Sequence, residues 1–577
     1  MTNLNINIKT MKNLKLIVAT ALAALFALNC AAAKDRPKWL DDAFIYHIYP
    51  SSYMDSDGNG IGDLNGIRSK LDYIKSTGFN CIWLSPCFAS DWKDGGYDIT
   101  DFYKIDPRFG TNEDLEKLVA EAHAKGIKVL LDLVAGHTSI KHPWFRQSCK
   151  AERNEYSDYF IWTDGKDMKK PHKKFVNNDF PRGGYYMKNF YDIQPALNYG
   201  YFNPDPNRPW EQGYDDAGPT AVRNELKNII AFWCDKGVDG FRVDMAGSLV
   251  KGDNEAKDGI CRLWNEIFAW YNAKYPENIM MAEWGIPEEA LRAGFDIDLL
   301  IHGEKKICGK IYRPLVCETN DKMVYNTCYF NKAGKGDLHQ PMKLYGQVVE
   351  TFKRLGGYAS MPTCSHDIWR LNRMNRNTPE EHKVVMTMFL TLPTPPVVYY
   401  GEEIGMRNLE YAPVKEGSLS ARNRSTCRTP MQWDTTKNAG FSTVENIAKL
   451  YLPIDNAPEY PNVATQSEDS ESVLNYVKGL IALRKATPAL GTAGDWEYVG
   501  DLDNPYPMIY KRSLGDEKYI VVFNPSDRKV SGDIARLGKK VSWVYGNDAK
   551  LAKCKTSADK HTFTMQPVSV AIFKITE

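Results

Sequence analysis

The chain has 577 residues, more than one ordinary domain holds, and its 43% hydrophobic and 25% charged residues are the balance of a folded protein, not a disordered one. Its 73 Lys+Arg and 72 Asp+Glu nearly cancel, which leaves no electrostatic case for nucleic acid or an anionic membrane surface as partner. The 12 cysteines are scattered, without C-x-x-C pairs or Cys/His spacing, so nothing points to a zinc site, although an oxidising compartment would allow one or two disulfides.

The N-terminus sets Lys12 and Lys15 before an apolar run, Leu16 to Leu28, which ends in Cys30-Ala31-Ala32-Ala33. A basic start, a short apolar core and small residues in an A-x-A pattern predict a signal peptide over 1–33 and a secreted product, periplasmic or at the outer surface. The run is too short for a permanent membrane span, and no other stretch is long and apolar enough. Cys30 offers a second reading, a lipoprotein anchored through that cysteine, to which Asn29 is a poor fit. Aromatics reach 12%. Sugar rings stack well on such faces, but large cores use the same residues, so this excess only leans toward a carbohydrate ligand.

Short β-type runs then alternate with helical patterns. Strands are predicted at Phe44–Ile48, Cys81–Leu84, Val129–Val134, Gly240–Asp244, Ile279–Ala282, Ile297–Ile301, Ala359–Thr363 and Val397–Tyr400. Between them lie amphipathic stretches such as Asn112–Lys125, closed by Gly126. Eight apolar strands alternating with helices predict a (β/α)8 TIM barrel over 34–138 and 206–489. An open doubly wound sheet is the competitor, and the absence of a glycine-rich fingerprint after the first strand argues against it. Residues 139–205 exceed one crossover and predict a small excursion domain after strand 3. From 490 to 577 short strands such as Met508–Lys511, Tyr519–Phe523 and Ser569–Ile575 predict a C-terminal antiparallel β-sandwich domain.

After the first strand, Asp55-x-Asp57-x-Asn59-Gly60-Ile61-x-Asp63 spaces oxygen donors at alternate positions, with a glycine for the turn and a carbonyl at Ile61. This matches the first nine positions of an EF-hand loop, although the twelfth is Gly66 instead of glutamate. A structural calcium ion is expected there; the competing reading is a solvated turn.

In a barrel, ligand-facing groups sit where strands end. Those ends give Asp132 and His137, then Arg242 and Asp244, then Glu283, then His366 and Asp367. Any one of them is more readily a turn or cap residue. Seven at one face imply a site, because gathering that many ionisable groups is costly without a use. Two carboxylates beside an arginine suit glycosidic chemistry, one attacking or stabilising an oxocarbenium ion, the other protonating the leaving oxygen. Arg242, two residues before Asp244 and on the same strand face, would keep that carboxylate ionised.

The motifs DLVAGHTS (132–139), GFRVDMA (240–246), MAEW (281–284), SHD (365–367) and YYGEEIGM (399–406) resemble those of the α-amylase superfamily, glycoside hydrolase family 13. The resemblance runs from about Ala43 to the C-terminus. It implies Asp244 as nucleophile, Glu283 as general acid/base and Asp367 as transition-state stabiliser, with His137, Arg242 and His366 around the sugar. QPALN (194–198), DGGYD (94–98) and RTPMQWD (428–434) resemble the oligo-1,6-glucosidase, α-glucosidase and trehalose synthase group. In that group Asp94 and Tyr97 would grip a terminal glucose, Arg428 would pair with Asp94 to close the pocket, and Phe190 would pack on the sugar. The metal loop of that group binds calcium or magnesium. The expected activity is therefore retaining, exo-acting hydrolysis of α-1,4- or α-1,6-linked glucose oligosaccharides. The stretch 438–454 resembles trehalose synthases and keeps isomerisation open, with endo-acting α-amylase and a silent sugar-binding barrel as further alternatives. Three positions depart from the pattern: Gly136 and Ser365 replace the asparagines before the two histidines, and Ala196 replaces the acidic residue of QPDLN.

Overall fold

The computed structural model describes residues 36–166, 173–301, 306–317, 325–416 and 424–577. The expected signal peptide and Cys30 lie outside the described residues. Eight parallel strands form one sheet: β1 (Ile45–Ile48), β2 (Cys81–Leu84), β3 (Lys128–Leu133), β4 (Gly240–Val243), β5 (Ile279–Ala282), β6 (Ile297–Leu299), β7 (Tyr358–Ser360) and β8 (Val397–Tyr399). Each pairs with its neighbour in chain order, and β8 returns to pair with β1. The ring closes just past β7, where Pro362 bridges Val397 and Thr363 N–H donates to its carbonyl. All eight predicted strands are present.

These strands are short and almost wholly buried because both faces are covered, by helices outside and by packed side chains within. The helix Asn112–Ala124 shows how the outer ring is specified. Thr111 and Asp114 form a capping box at its start, Gly126 at φ +70° follows its end, and Leu115, Leu118, Val119 and Ala122 bury one stripe against the barrel. Each buried leucine contributes about 2 kcal/mol and the cap about 1 kcal/mol.

Between β3 and β4 the chain makes a helix, Pro143–Ser148, and a three-stranded sheet of Trp162–Thr163, Phe175–Asn177 and Tyr185–Met187. It returns through an antiparallel bridge that sets Ala196 opposite His137. Beyond the last barrel helix, Val473–Ala486, a five-stranded antiparallel sheet faces a three-stranded one. Residue alternation divides its inner strands. Ile509, Ile520 and Val522 pack toward the small sheet, whereas Met508, Tyr510, Val521 and Phe523 join the barrel core. The described cysteines are thiols, ten of them buried, so the disulfides that the composition would allow do not form among the described residues. No described helix is long and apolar enough to cross a membrane.

Candidate active site

The barrel's hydrogen-bond register makes the site. It sets Asp132 of β3 directly beside Arg242 of β4, both pointing inward, and their side chains pair at 2.7 Å. Arg242 Nη1 also reaches Asp244 Oδ1 at 3.1 Å, and Nη2 lies 2.8 Å from Glu283 Oε2. One buried guanidinium thus serves three carboxylates. Immediately after Asp244, Met245 is held at φ +45°, a strained conformation for a side-chain-bearing residue, costing about 1 kcal/mol or more. That bend aims Met245 N–H at Glu283 Oε2, 3.0 Å away, and fixes the second carboxylate beside the first.

Too few positive charges face this cluster for every carboxylate to ionise. Burial, then the neighbouring Glu283 carboxylate, pushes Asp244 well above the usual carboxylate range, against the pull of Arg242. Asp244 and Glu283 therefore hold a proton between them. Burial likewise lifts Asp132 to about 6, with Arg242 opposing. Burial keeps the imidazoles neutral: His137 falls to about 4 and His366 well below its ordinary range.

A cavity of about 640 Å³ opens over these groups, lined by Asp94, Tyr97, His137 and Phe190 as well as Asp244, Glu283 and Asp367. Phe190 is 55% exposed at its rim. Arg242, His366 and Arg428, also expected at the sugar, are buried side chains outside that lining. His366 Nε2 sits 2.8 Å from the Tyr97 hydroxyl, which in turn donates to Asp132 Oδ2 at 3.0 Å.

The expected Arg428–Asp94 pair is replaced by another. Arg424 Nη2 holds Asp94 Oδ1 at 2.9 Å, while its Nη1 holds Asp367 Oδ1 at 2.5 Å. Arg428 instead donates from Nη2 to Asp367 Oδ1 at 3.1 Å and from Nε to the His366 carbonyl at 2.7 Å. Its path runs against the DGGYD turn, where a Cβ on Gly95 would stand 2.6 Å from Arg428 Nη1. Its guanidinium is thus committed to Asp367 and to the carbonyls of His366 and Glu416. Gln194 Nε2 completes the hold on Asp94 Oδ2 at 2.8 Å. Arg424 and Trp284, whose indole packs against Gly247, were not singled out from sequence; Trp284 stands next to Glu283 in MAEW, a usable signal, whereas nothing local distinguishes Arg424.

Two departures have local explanations. Ser365 Oγ accepts from Asp367 N–H at 3.1 Å and so braces that carboxylate's backbone. Ala196 is fully buried in a small apolar cluster with Ile161, Met187 and Tyr201, where a carboxylate would be left without a partner.

In the Asp55–Asp63 loop, oxygens of Asp55, Asp57 and Asp63 lie within 4.8 Å of one another. Partial burial and the two adjacent carboxylates push Asp57 above the usual range. Asn59 Oδ1 accepts from Ile61 N–H at 2.8 Å. At the twelfth position a Cβ on Gly66 would lie 2.0 Å from the Met54 carbonyl, so no glutamate fits there. The crowded hard-oxygen set suits a calcium or magnesium ion.

Residues 47–493 match the α-amylase catalytic-domain family. The chain is 33% identical over 548 residues to the oligo-1,6-glucosidase of Heyndrickxia coagulans, covering 86% of this chain and 94% of that protein. The chain belongs to the α-amylase family. It is accordingly a glycoside hydrolase of that family by descent. It is also 30% identical to a trehalose synthase/amylase of Mycobacterium tuberculosis, over 85% of this chain and 82% of that one. Among solved structures, the isomaltulose synthase of Klebsiella sp. LX3 superposes with a TM-score of 0.74 at 26% identity, covering 93% of this chain and 99% of that chain. This α-amylase-family barrel thus has relatives named as a glucosidase and as synthases.

Proposed function

We propose that this α-amylase-family enzyme is a retaining exo-α-glucosidase of short α-linked glucose oligosaccharides. The observation that carries the reading is the bridge Asp94–Arg424–Asp367, which ties together three groups that line the cavity. A terminal glucose would end there, so a chain could not thread through, and endo-acting cleavage is disfavoured.

In this reading Asp244 attacks the anomeric carbon as the glycosidic C–O bond breaks, and Glu283 gives its proton to the leaving oxygen. Glu283 then takes a proton from water, whose oxygen releases the glucose and frees Asp244. Inverting enzymes hold their two acids about 6.5–9.5 Å apart to seat a water between them. Here Asp244 and Glu283 share one guanidinium, at 3.1 and 2.8 Å, which favours the retaining course. Asp367, held by two arginines, would stabilise the positive charge developing on the sugar. Asp94, Tyr97 and His137 would bind its hydroxyls and Phe190 would cover it, with Arg242, His366 and Arg428 fixing the carboxylates from behind. Asp55, Asp57, Asn59, Ile61 and Asp63 would hold a calcium ion as a structural clamp, contributing no step of the chemistry.

The likeness to a trehalose synthase and an isomaltulose synthase favours one second reading, transfer of the same covalent glucosyl group to a sugar instead of water. Anomeric-proton NMR on maltose, isomaltose and a short maltodextrin separates the two. Release of α-glucose before mutarotation supports retaining hydrolysis. Trehalose or a rearranged disaccharide as main product moves the reading to isomerisation. Asp244→Asn should lower kcat by about 10⁴-fold or more, and Arg424→Ala should admit cleavage away from the chain end. Unchanged rates in the first variant would remove the assigned nucleophile, and an unchanged product pattern in the second would remove the exo argument.

A further inference from the structure

Beside Gly136 an amide reaches His137 from another part of the chain. The hairpin that carries Phe190 is closed by a bridge between Lys188 and Pro195, and its return pairs with the chain around His137 through Leu197 N–H to the Gly136 carbonyl, 3.1 Å. On this hairpin Asn189 Nδ2 lies 2.9 Å from His137 Nδ1. His137 Nε2 lies 3.0 Å from the Tyr97 carbonyl. A carbonyl only accepts, so Nε2 carries the imidazole proton. Burial disfavours a second proton, which leaves Nδ1 as a lone pair facing a donor. The amide orientation follows: with its oxygen toward Nδ1, two acceptors would face each other. The Tyr97 carbonyl thereby fixes the tautomer, and Asn189 holds the ring in one orientation from its other side.

Gly136 is what makes room. A Cβ at that position would stand 2.8 Å from Asn189 Nδ2, closer than real Cβ atoms approach. The obstructed atom ends a flexible side chain, so any residue larger than glycine would displace the amide and spare the backbone. Gly136 is not among the residues at positive φ, so alanine is otherwise tolerated there.

We propose that Asn189 is a positioning residue for His137, acting as one unit with Gly136, whose missing Cβ leaves the amide its place. The same hairpin reaches Asp94 through Gln194, so two contacts to the expected terminal-glucose site depend on it. This inference rests on the glucosidase reading, since it assigns His137 to the bound sugar.

The test is a double-mutant cycle of Gly136→Ala and Asn189→Ala, read as kcat and KM on the substrate that wild type hydrolyses fastest, with melting temperatures alongside. Each single variant should raise KM by about tenfold and leave kcat within about threefold. Because both break one contact, the double variant should also lose about tenfold, not a hundredfold. Losses that multiply to about a hundredfold, or an Asn189→Ala variant with unchanged KM, overturn the proposal. A loss confined to kcat or to melting temperature does so too, because it would mark a structural role only. Wild-type protein inactive on every α-glucoside would sink the functional reading instead, so the two failures remain distinct.

Discussion

Asp244 and Glu283 differ in what touches them, and that difference dictates a pH dependence. The pair keeps a proton to higher pH than an ordinary carboxylate, because burial and mutual repulsion both penalise the doubly ionised form. Raising the pH past that point empties the acid, so kcat/KM should fall on the alkaline side. With Glu283→Gln and an aryl α-glucoside whose leaving group needs no proton, the alkaline limb should vanish. The acid limb should move to lower pH, since Asp244 is relieved of a like charge. A pH profile of kcat/KM checks both limbs, and an alkaline limb that persists unchanged removes Glu283 as the acid. The carboxylates and Arg242 were legible in sequence because they end strands in characteristic motifs. The partner of Asp94 was not. Arg424 and Arg428 stand four residues apart around the short 3-10 helix Arg424–Cys427, and only the tertiary contacts assign the first to Asp94 and the second to the His366 carbonyl.

At the scale of elements, the aspartate loop after β1 ties distant pieces of chain together. Asp55 Oδ2 accepts from Ser442 Oγ at 2.5 Å, Asp55 N–H donates to the Phe441 carbonyl at 3.0 Å, and Tyr451 N–H donates to the Gly60 carbonyl at 2.9 Å. Asp63 also caps the helix Leu64–Ser69. A cation held by the three carboxylates would lock all of these contacts, so it should stabilise the folded chain by mass action. Chelator should lower the melting temperature by about 5 °C or more, and calcium or magnesium should restore it. Asp57→Asn should weaken that response without altering the products formed. A melting curve indifferent to chelator would leave a solvated turn. The loop's spacing could be read from sequence because its geometry is local. Its anchorage could not, since Phe441, Ser442 and Tyr451 lie nearly 400 residues away along the chain.

For the whole molecule, one face of the five-stranded C-terminal sheet is part of the barrel's own core. Arg512, fully buried, donates to the carbonyls of Thr391, Leu490, Gly491, Gly494 and Asp495, joining the helix Pro379–Thr391 to the sheet. Burial lowers it to about 10, leaving it charged at neutral pH. Arg512→Ala would strand those carbonyls and should cost about 3 kcal/mol, seen as a fall in denaturation midpoint. Activity at 25 °C should stay near wild type, since Arg512 is remote in contact from the cavity lining. A midpoint that does not move would show the sheet to be an independent appendage.

The eight strands, the helical ring and the terminal sheets could be predicted because periodicity, caps and breakers are written within a few residues of where they act. So could the family, since its motifs sit at strand ends. The sequence alone determined that Asp244, Glu283 and Asp367 exist in the right segments. Only the tertiary structure decided that one guanidinium serves three carboxylates, that Arg424 and not Arg428 holds Asp94, and that Asn189 reaches His137. Those are questions of which side chain occupies a shared volume. Steric exclusion and ion pairing settle them between residues that spacing along the chain leaves equivalent.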